Sequence, residues 1–171
     1  RVDRPTVTSR MLDEEIGYIG ISEFKDVTVD QFTENYAVIK GSGAKALVLD
    51  LRGNPGGLLD AVVDIGRQIL PEGLVVYTED KNGKRVEYDC DGTRKIEIPM
   101  VVLVNGGSAS AAEVLTGAVK DYGVGTIMGT TTYGKGIVQK IIELSDGSAI
   151  KLTTDGYFTP KGNNIHGKGI E

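Results

Sequence analysis

This 171-residue sequence has one cysteine, one histidine and no tryptophan. A single cysteine cannot form an intramolecular disulfide, and a single histidine leaves no Cys/His cluster for zinc. The cysteine, Cys90, lies among acidic residues at 87–91, which disfavour a reactive thiolate. The composition therefore argues against a disulfide scaffold, a zinc domain and a cysteine-dependent enzyme.

The sequence also lacks an excess of basic over acidic residues, and it lacks long apolar runs. The formal net charge is −5, whereas a nucleic-acid-binding domain normally carries a basic stripe. No stretch approaches the roughly 18 apolar residues of a membrane span. With 40% hydrophobic residues, the chain suits one globular domain. The start at residues 1–5 and the stop at Glu171 both suggest a piece cut from a longer protein.

Two short apolar runs dominate the pattern, at residues 46–51 and 100–105. Each ends in a Gly-rich turn that opens a helical pattern, at residues 58–70 and about 109–122, and this is typical of buried strands in an α/β fold. The sheet is predicted to be mixed and layered. A capping box at 28–31 predicts a helix that ends at Gly41. Further predicted strands are 16–24, 74–78 and 84–89 around an Asn-Gly turn, 125–129, 137–142 and 148–154.

The second Gly-rich turn, Gly-Gly-Ser-Ala-Ser-Ala-Ala-Glu at 106–113, offers two hydroxyls at the mouth of a helix. Sites in α/β folds form where strands end, and a helix start presents free N–H groups that favour negative charge. In the simplest interpretation both serines cap the helix, with Ser108 as the N-cap residue. In the alternative, Ser110 is a nucleophile with small neighbours that let a substrate approach.

A nucleophilic serine needs a base. His166 lies in a loop-like tail near the end of the chain, which disfavours a Ser-His-Asp triad. Lys135, between two glycines and followed by apolar residues, could serve if burial keeps its amine uncharged, as in known Ser–Lys pairs. It could equally be a surface lysine in a turn.

The stretch at 129–135 matches the P-loop pattern G-x-x-x-x-G-K, but Gly136 stands where a P-loop needs Ser or Thr. The sequence therefore does not favour a P-loop here.

Taken together, three stretches resemble the carboxy-terminal processing peptidases, also called tail-specific proteases: Leu-Asp-Leu-Arg-Gly-Asn-Pro-Gly-Gly at 49–57, the turn at 105–113, and Tyr-Gly-Lys-Gly-Ile-Val-Gln at 133–139. Residues 146–154 and 157–160 also look like that family. The resemblance covers nearly the whole chain from about Ile16. It implies a ClpP/crotonase-like α/β core with a mixed, mostly parallel sheet. Residues 1–171 would be the catalytic core domain.

The resemblance also implies a Ser–Lys dyad. The nucleophile would be Ser110, the second serine of Ser-Ala-Ser, and the base would be Lys135, supported by Gln139. Asp121 matches an acidic position that is important in relatives, although it is equally consistent with an exposed acid at a helix end.

The implied oxyanion hole uses backbone N–H groups from both turns. These would come from Gly56, or alternatively Gly57, and from Ala111, the residue after the nucleophile. The expected activity is endopeptidase cleavage of proteins near their C-termini through an acyl-enzyme, with no metal and no cofactor.

Family members usually carry an upstream PDZ domain and flanking helical regions, and neither is found in this sequence. The expected partners are protein or peptide substrates with accessible C-terminal tails, and not nucleic acid. Any oligomer or membrane association would depend on segments outside these 171 residues, and export from the cytoplasm follows by analogy with the family. Two other functions remain open: a non-catalytic peptide-binding module of the same fold, and a crotonase-like acyl-CoA enzyme.

Overall fold

A computed structural model describes residues 4–171. Strands and helices alternate along most of the described chain, as the two apolar runs predict. The elements in chain order are β1 (Val7–Met11), β2 (Ile16–Ile21), α1 (Asp26–Gly41), β3 (Ala46–Asp50), α2 (Leu59–Ile69), β4 (Gly73–Asp80), β5 (Arg85–Cys90), β6 (Met100–Val104), α3 (Ala111–Tyr122), β7 (Thr126–Gly129), β8 (Ile137–Glu143) and β9 (Ala149–Phe158).

The first sheet has the strand order β1-β2-β3-β6-β7. Strands β2, β3, β6 and β7 run parallel, and β1 pairs antiparallel with β2 at the edge, so the sheet is mixed and mostly parallel, as predicted. The two apolar runs are neighbours in its centre, where Val48 pairs with Val101. Because parallel strands end at the same edge of a sheet, the Gly-rich turns after β3 and β6 emerge side by side.

The second sheet is antiparallel and has the order β5-β4-β9-β8. The Asn-Gly turn joins β4 to β5 as expected. Strand β9 runs to Phe158, four residues beyond the predicted end at 154, because its last residues pair with β4. The segment at 130–136 carries Lys135, the expected base, and is named the base segment for that reason. It links the last strand of the first sheet to the edge strand of the second.

Helix α3 contacts α2, β4 and β7, and it is buried from Ala111 to Val119. Small residues allow this close packing. A Cβ at Gly117 would lie 2.7 Å from Thr159 Cγ2, so the helix touches the loop after β9 at that point. The core packing thus fixes the helix whose first turn carries Ser110.

Four local predictions were incomplete or wrong. Strand β1 was missed, and the strand predicted at 16–24 ends at Ile21. Helix α1 begins at Asp26 rather than after Thr28; the Thr28 hydroxyl accepts the Lys25 N–H at 2.8 Å from inside the first turn. Helix α3 begins at Ala111, so its N-cap residue is Ser110 and not Ser108.

None of the helices within residues 4–171 combines the length and the apolar character that a membrane span requires.

Candidate active site

Side chains of the second turn hold the two strand-end turns together. The Asn105 side-chain oxygen accepts the Gly53 N–H at 2.9 Å, and the Ser108 hydroxyl donates to the Leu51 carbonyl at 2.7 Å. Ser108 is fully buried, and its oxygen also accepts the Asn105 N–H at 3.0 Å. Ser108 therefore serves as a link between the turns, and Ser110 is left as the half-buried hydroxyl at the helix mouth.

Ser110 has a strained backbone, with φ 54° and ψ −116°. It is the only residue other than glycine with a positive φ among residues 4–171. Such conformations carry about 1–3 kcal/mol of strain each and cluster at functional sites. The strain turns the chain sharply between β6 and α3, which is the kind of turn that exposes a nucleophile at the end of a strand.

The first turn approaches Ser110 through Gly56. A Cβ on Gly56 would lie 2.8 Å from Ser110 Cβ and 3.0 Å from the Ala111 nitrogen. A side chain there would have to push away the nucleophile turn, the turn at 106–110 that carries the expected nucleophile Ser110. The Gly56 N–H is already used, because it donates to Asn54 Oδ1 at 2.8 Å. Within residues 4–171, neither the Gly57 N–H nor the Ala111 N–H makes a hydrogen bond. Of the three expected oxyanion donors, these two are available.

A buried carboxylate, Glu113, joins the nucleophile turn to the base segment. Its Oε2 accepts the N–H groups of Ser110 and Lys135, both at 2.8 Å. Its Oε1 accepts the Thr132 hydroxyl at 2.6 Å and the Gly134 N–H at 2.5 Å. All four partners donate, so each carboxylate oxygen accepts two hydrogen bonds. The backbone nitrogens of Ser110 and Lys135 are thereby held within two hydrogen-bond lengths of each other.

The Lys135 side chain itself is half-buried. Within residues 4–171 no hydrogen bond joins its amine to the Ser110 hydroxyl. The Tyr133 N–H donates to the Ser108 carbonyl at 3.0 Å, which adds a second backbone link between the base segment and the nucleophile turn. The His166 side chain is exposed, and its backbone nitrogen would lie 2.4 Å from a Cβ on Gly136.

Gln139 lies on β8, and its side-chain amide donates to Thr153 Oγ1 across the strand pair at 3.4 Å. This bond is long and therefore weak. The register between β8 and β9 shifts between Val138 and Gln139. This irregularity lies at Gln139, the residue that is expected to support Lys135. Bulges commonly change the direction in which a side chain points.

Asp121 lies in the last turn of α3, at the end opposite Ser110. The two residues are eleven positions apart, so at about 1.5 Å per residue their Cα atoms are roughly 16 Å apart along the axis. Asp121 Oδ2 accepts the Lys161 N–H at 2.8 Å. Its visible contact therefore fastens the turn after β9 to the helix, away from Ser110.

A second carboxylate, Asp50, organises the start of the first Gly-rich turn. Arg52 donates to it from Nε at 2.9 Å and from Nη2 at 2.6 Å, and the Tyr18 hydroxyl donates at 2.9 Å. Burial raises the pKa of Asp50, but the hydrogen bonds from Arg52 and Tyr18 outweigh it and hold the pKa below its usual value. Burial and the neighbouring Asp50 together raise the pKa of Tyr18.

Sequence reasoning assigned no functional role to Glu113 or Thr132. One signal pointed to Glu113: the spacing Ser110-x-x-Glu113 is that of a capping box, in which the glutamate reaches back to the N-cap N–H. No local pattern could reveal that the same carboxylate also binds a segment about 20 residues further along.

Comparison with known proteins gives a consistent result. Residues 15–171 match peptidase family S41. A carboxyl-terminal-processing protease of Synechocystis sp. (strain ATCC 27184 / PCC 6803 / Kazusa) is 41% identical over 157 residues, which are 92% of this chain and 37% of the relative. The carboxy-terminal processing protease CtpA of Bacillus subtilis (strain 168) is 40% identical over 167 residues, which are 97% of this chain and 36% of the relative.

Among solved structures, a photosystem II D1 C-terminal processing protease superposes with a TM-score of 0.91 at 35% identity. The match covers 99% of this chain and 48% of that one. The chain spans little more than a third of the curated relatives it matches. The expected ClpP/crotonase-like α/β core is confirmed by this superposition. The chain therefore belongs to peptidase family S41, as its resemblance to the carboxy-terminal processing peptidases predicted.

Proposed function

We propose that the protein containing this chain is a serine endopeptidase in which Ser110 is the nucleophile and Lys135 the general base. One observation carries the proposal: the backbone N–H groups of a strained serine at a helix mouth and of a glycine-flanked lysine in the base segment donate to the same oxygen of a buried carboxylate. A serine that only caps a helix would need neither a strained backbone nor a second segment joined to it through the same carboxylate.

In the proposed reaction, the uncharged Lys135 amine accepts the Ser110 proton while Ser110 Oγ attacks the scissile carbonyl carbon. The carbonyl π electrons move to oxygen, and the N–H groups of Gly57 and Ala111 stabilise the resulting oxyanion, each donor contributing about 3 kcal/mol. The Lys135 ammonium then gives its proton to the leaving amine as the C–N bond breaks. Water then attacks the acyl carbon while Lys135 accepts its proton. The bond between that carbon and Ser110 Oγ breaks, and the Lys135 ammonium returns the proton to Ser110 Oγ.

Gly56 would contribute by shape rather than as a donor. Its N–H is bound to Asn54, but its missing side chain lets the first turn lie against Ser110 and Ala111. Gln139 would orient the Lys135 amine through its side-chain oxygen. Its long bond to Thr153 leaves that amide oxygen available for such a contact.

The substrates would be proteins with accessible C-terminal tails, since the relatives are named as C-terminal processing proteases. We take residues 1–171 as the catalytic core of a longer, exported protein. Capture of the substrate tail, any oligomer and any membrane attachment would then reside in the remainder of that protein, and Asp121 would support the core from the far end of α3.

The test is peptide cleavage by the complete protein and its Ser110→Ala and Lys135→Ala variants. Each substitution removes one member of a unit, so each should lower kcat by about 10⁴-fold or more. Ser42→Ala and Lys40→Ala, at exposed positions near the end of α1, are matched controls and should leave kcat unchanged. Normal turnover by either Ser110→Ala or Lys135→Ala would refute the assignment.

A serine-directed fluorophosphonate probe separates the proposal from a binding module of the same fold. Activated Ser110 should be labelled in the wild type, as identified by peptide mass mapping, and Lys135→Ala should abolish the labelling. A non-catalytic module would show no labelling at Ser110 at all.

A further inference from the structure

We propose that Thr132 is a positioning residue for the base. Its hydroxyl connects the Glu113 carboxylate to the C-terminal loop, residues 165–170, and so fixes Lys135 relative to Ser110. The inference rests on the proposed Ser–Lys reaction and deepens it. Thr132 lies three residues before Lys135 and is placed to act through its neighbours.

The hydrogen bonds of Thr132 leave its hydroxyl no freedom. Its Oγ accepts the Ile170 N–H at 2.7 Å, and the Thr132 N–H donates to the Ile170 carbonyl at 3.0 Å. Because the Ile170 N–H can only donate, the hydroxyl proton points to Glu113 Oε1, 2.6 Å away. The side chain is 6% exposed, so water cannot readily replace either partner.

The C-terminal loop, residues 165–170, holds the rest of the base segment in the same way. The Gly167 N–H donates to the Gly134 carbonyl at 2.9 Å. A Cβ on Gly134 would lie 3.1 Å from the Gly169 nitrogen, so the backbones are in direct contact. The base segment is thus held by α3 through Glu113 and by the C-terminal loop, and Thr132 is the side chain that bonds to both.

Loss of this hydroxyl would disconnect the two supports. Glu113 Oε1 would lose one of its two donors, and the buried Ile170 N–H would lose its acceptor. The base segment could then shift at Lys135, and a misplacement of about 1 Å at a catalytic group can lower the rate by about 10²-fold. Since Thr132 acts on the position of the base, the effect should fall on kcat and not on KM.

The experiment compares Thr132→Val with Thr132→Ser in the complete protein, by steady-state peptide cleavage and by the rate of fluorophosphonate labelling of Ser110. Valine keeps the shape and removes the hydroxyl, so kcat and the labelling rate should fall by about 10–100-fold with KM changed less than about twofold. Serine keeps the hydroxyl and should restore kcat to within about threefold of the wild type.

Thr116→Val is the matched control. Thr116 is a fully buried threonine in α3 whose hydroxyl donates only within the helix, to the Ala112 carbonyl at 2.7 Å. It should keep kcat near the wild-type value even if stability falls. Should Thr132→Val fail to fold, Thr132→Ala removes the same hydroxyl without placing a methyl group against the carboxylate.

The outcomes are distinguishable. If the wild type shows no turnover that depends on Ser110, the proposed reaction itself has failed. If that turnover is present, the positioning role is overturned by any of three results: a hydroxyl-free variant that keeps kcat, a Thr132→Ser variant that loses as much as Thr132→Val, or a Thr116→Val variant that loses equally.

Discussion

The strain at Ser110 predicts that the protein becomes more stable when the nucleophile is replaced by glycine than when it is replaced by alanine. Both replacements remove the hydroxyl and should abolish cleavage. They differ in the Cβ, which at φ 54° and ψ −116° is the source of the strain. The comparison therefore isolates the backbone conformation from the chemistry.

The magnitude follows from three contributions. Relief of the strain should favour glycine by about 2 kcal/mol. The greater backbone freedom of glycine in the unfolded chain opposes this by about 0.7 kcal/mol. Loss of the half-buried Cβ, which lies against Gly56, opposes it by about 0.4 kcal/mol. The expected net difference is about 1 kcal/mol in favour of Ser110→Gly.

The measurement is the free energy of unfolding of the complete protein in urea. It is taken from the two-state transition in which the core unfolds. Ser42 supplies the matched pair. It is an exposed residue with φ −81° and ψ 0°, a conformation open to any residue, and its hydroxyl donates to the Val38 carbonyl. Both replacements lose that bond, so Ser42→Gly should be less stable than Ser42→Ala by about 0.5–1 kcal/mol.

The two pairs should thus differ in opposite directions. If Ser110→Gly were also the less stable member of its pair, the strain in the nucleophile turn would be smaller than about 1 kcal/mol, and the backbone conformation would no longer mark Ser110 as a functional residue. Equal stability at Ser110, together with the expected order at Ser42, would limit the strain to about 1 kcal/mol.

Two further predictions concern the buried carboxylates. Glu113→Gln should lower the free energy of unfolding by about 2–4 kcal/mol, because at least one buried N–H then faces the NH2 of an amide instead of an acceptor. In urea denaturation the control Glu34→Gln, at an exposed site of α1, should lower it by less than about 0.5 kcal/mol. Equal losses in the two variants would contradict the link that Glu113 makes between the nucleophile turn and the base segment. Asp50 has a pKa below its usual 3.8 in the folded chain, so its contribution to stability is complete above that value and is lost as the pH falls through the lower folded value. The gap in stability between wild type and Asp50→Asn should therefore narrow from pH 7 to about pH 3 or below, and a gap that widened on acidification would show that the Arg52 contact does not hold the ionised form.

Local sequence patterns were sufficient for the central strands and the hairpin turn. The runs at 46–51 and 100–105 are apolar and end at glycines, so strand formation and the following turns depend on residues within a few positions of each other. The assignment of Ser110 and Lys135 came from motif similarity. Composition and spacing alone left capping and surface interpretations open for both residues.

The parts that local patterns missed depend on distant partners. Strand β1 exists because Val7 and its neighbours pair with β2, and the start of α3 at Ala111 follows from the buried Ser108 linking the two turns. The Asp50 pKa likewise depends on Tyr18, 32 residues away. None of these contacts leaves a repeating signature in the chain.

The amino-acid sequence by itself determined the α/β class, the two central strands with their Gly-rich turns, and the family. Only the tertiary structure decided how the nucleophile and base segments are joined. Glu113 binds Thr132 and Lys135 at separations of 19 and 22 residues, and Thr132 binds Ile170 at a separation of 38. A carboxylate accepts whichever donors folding brings to it, so its partners become known only when the chain has folded.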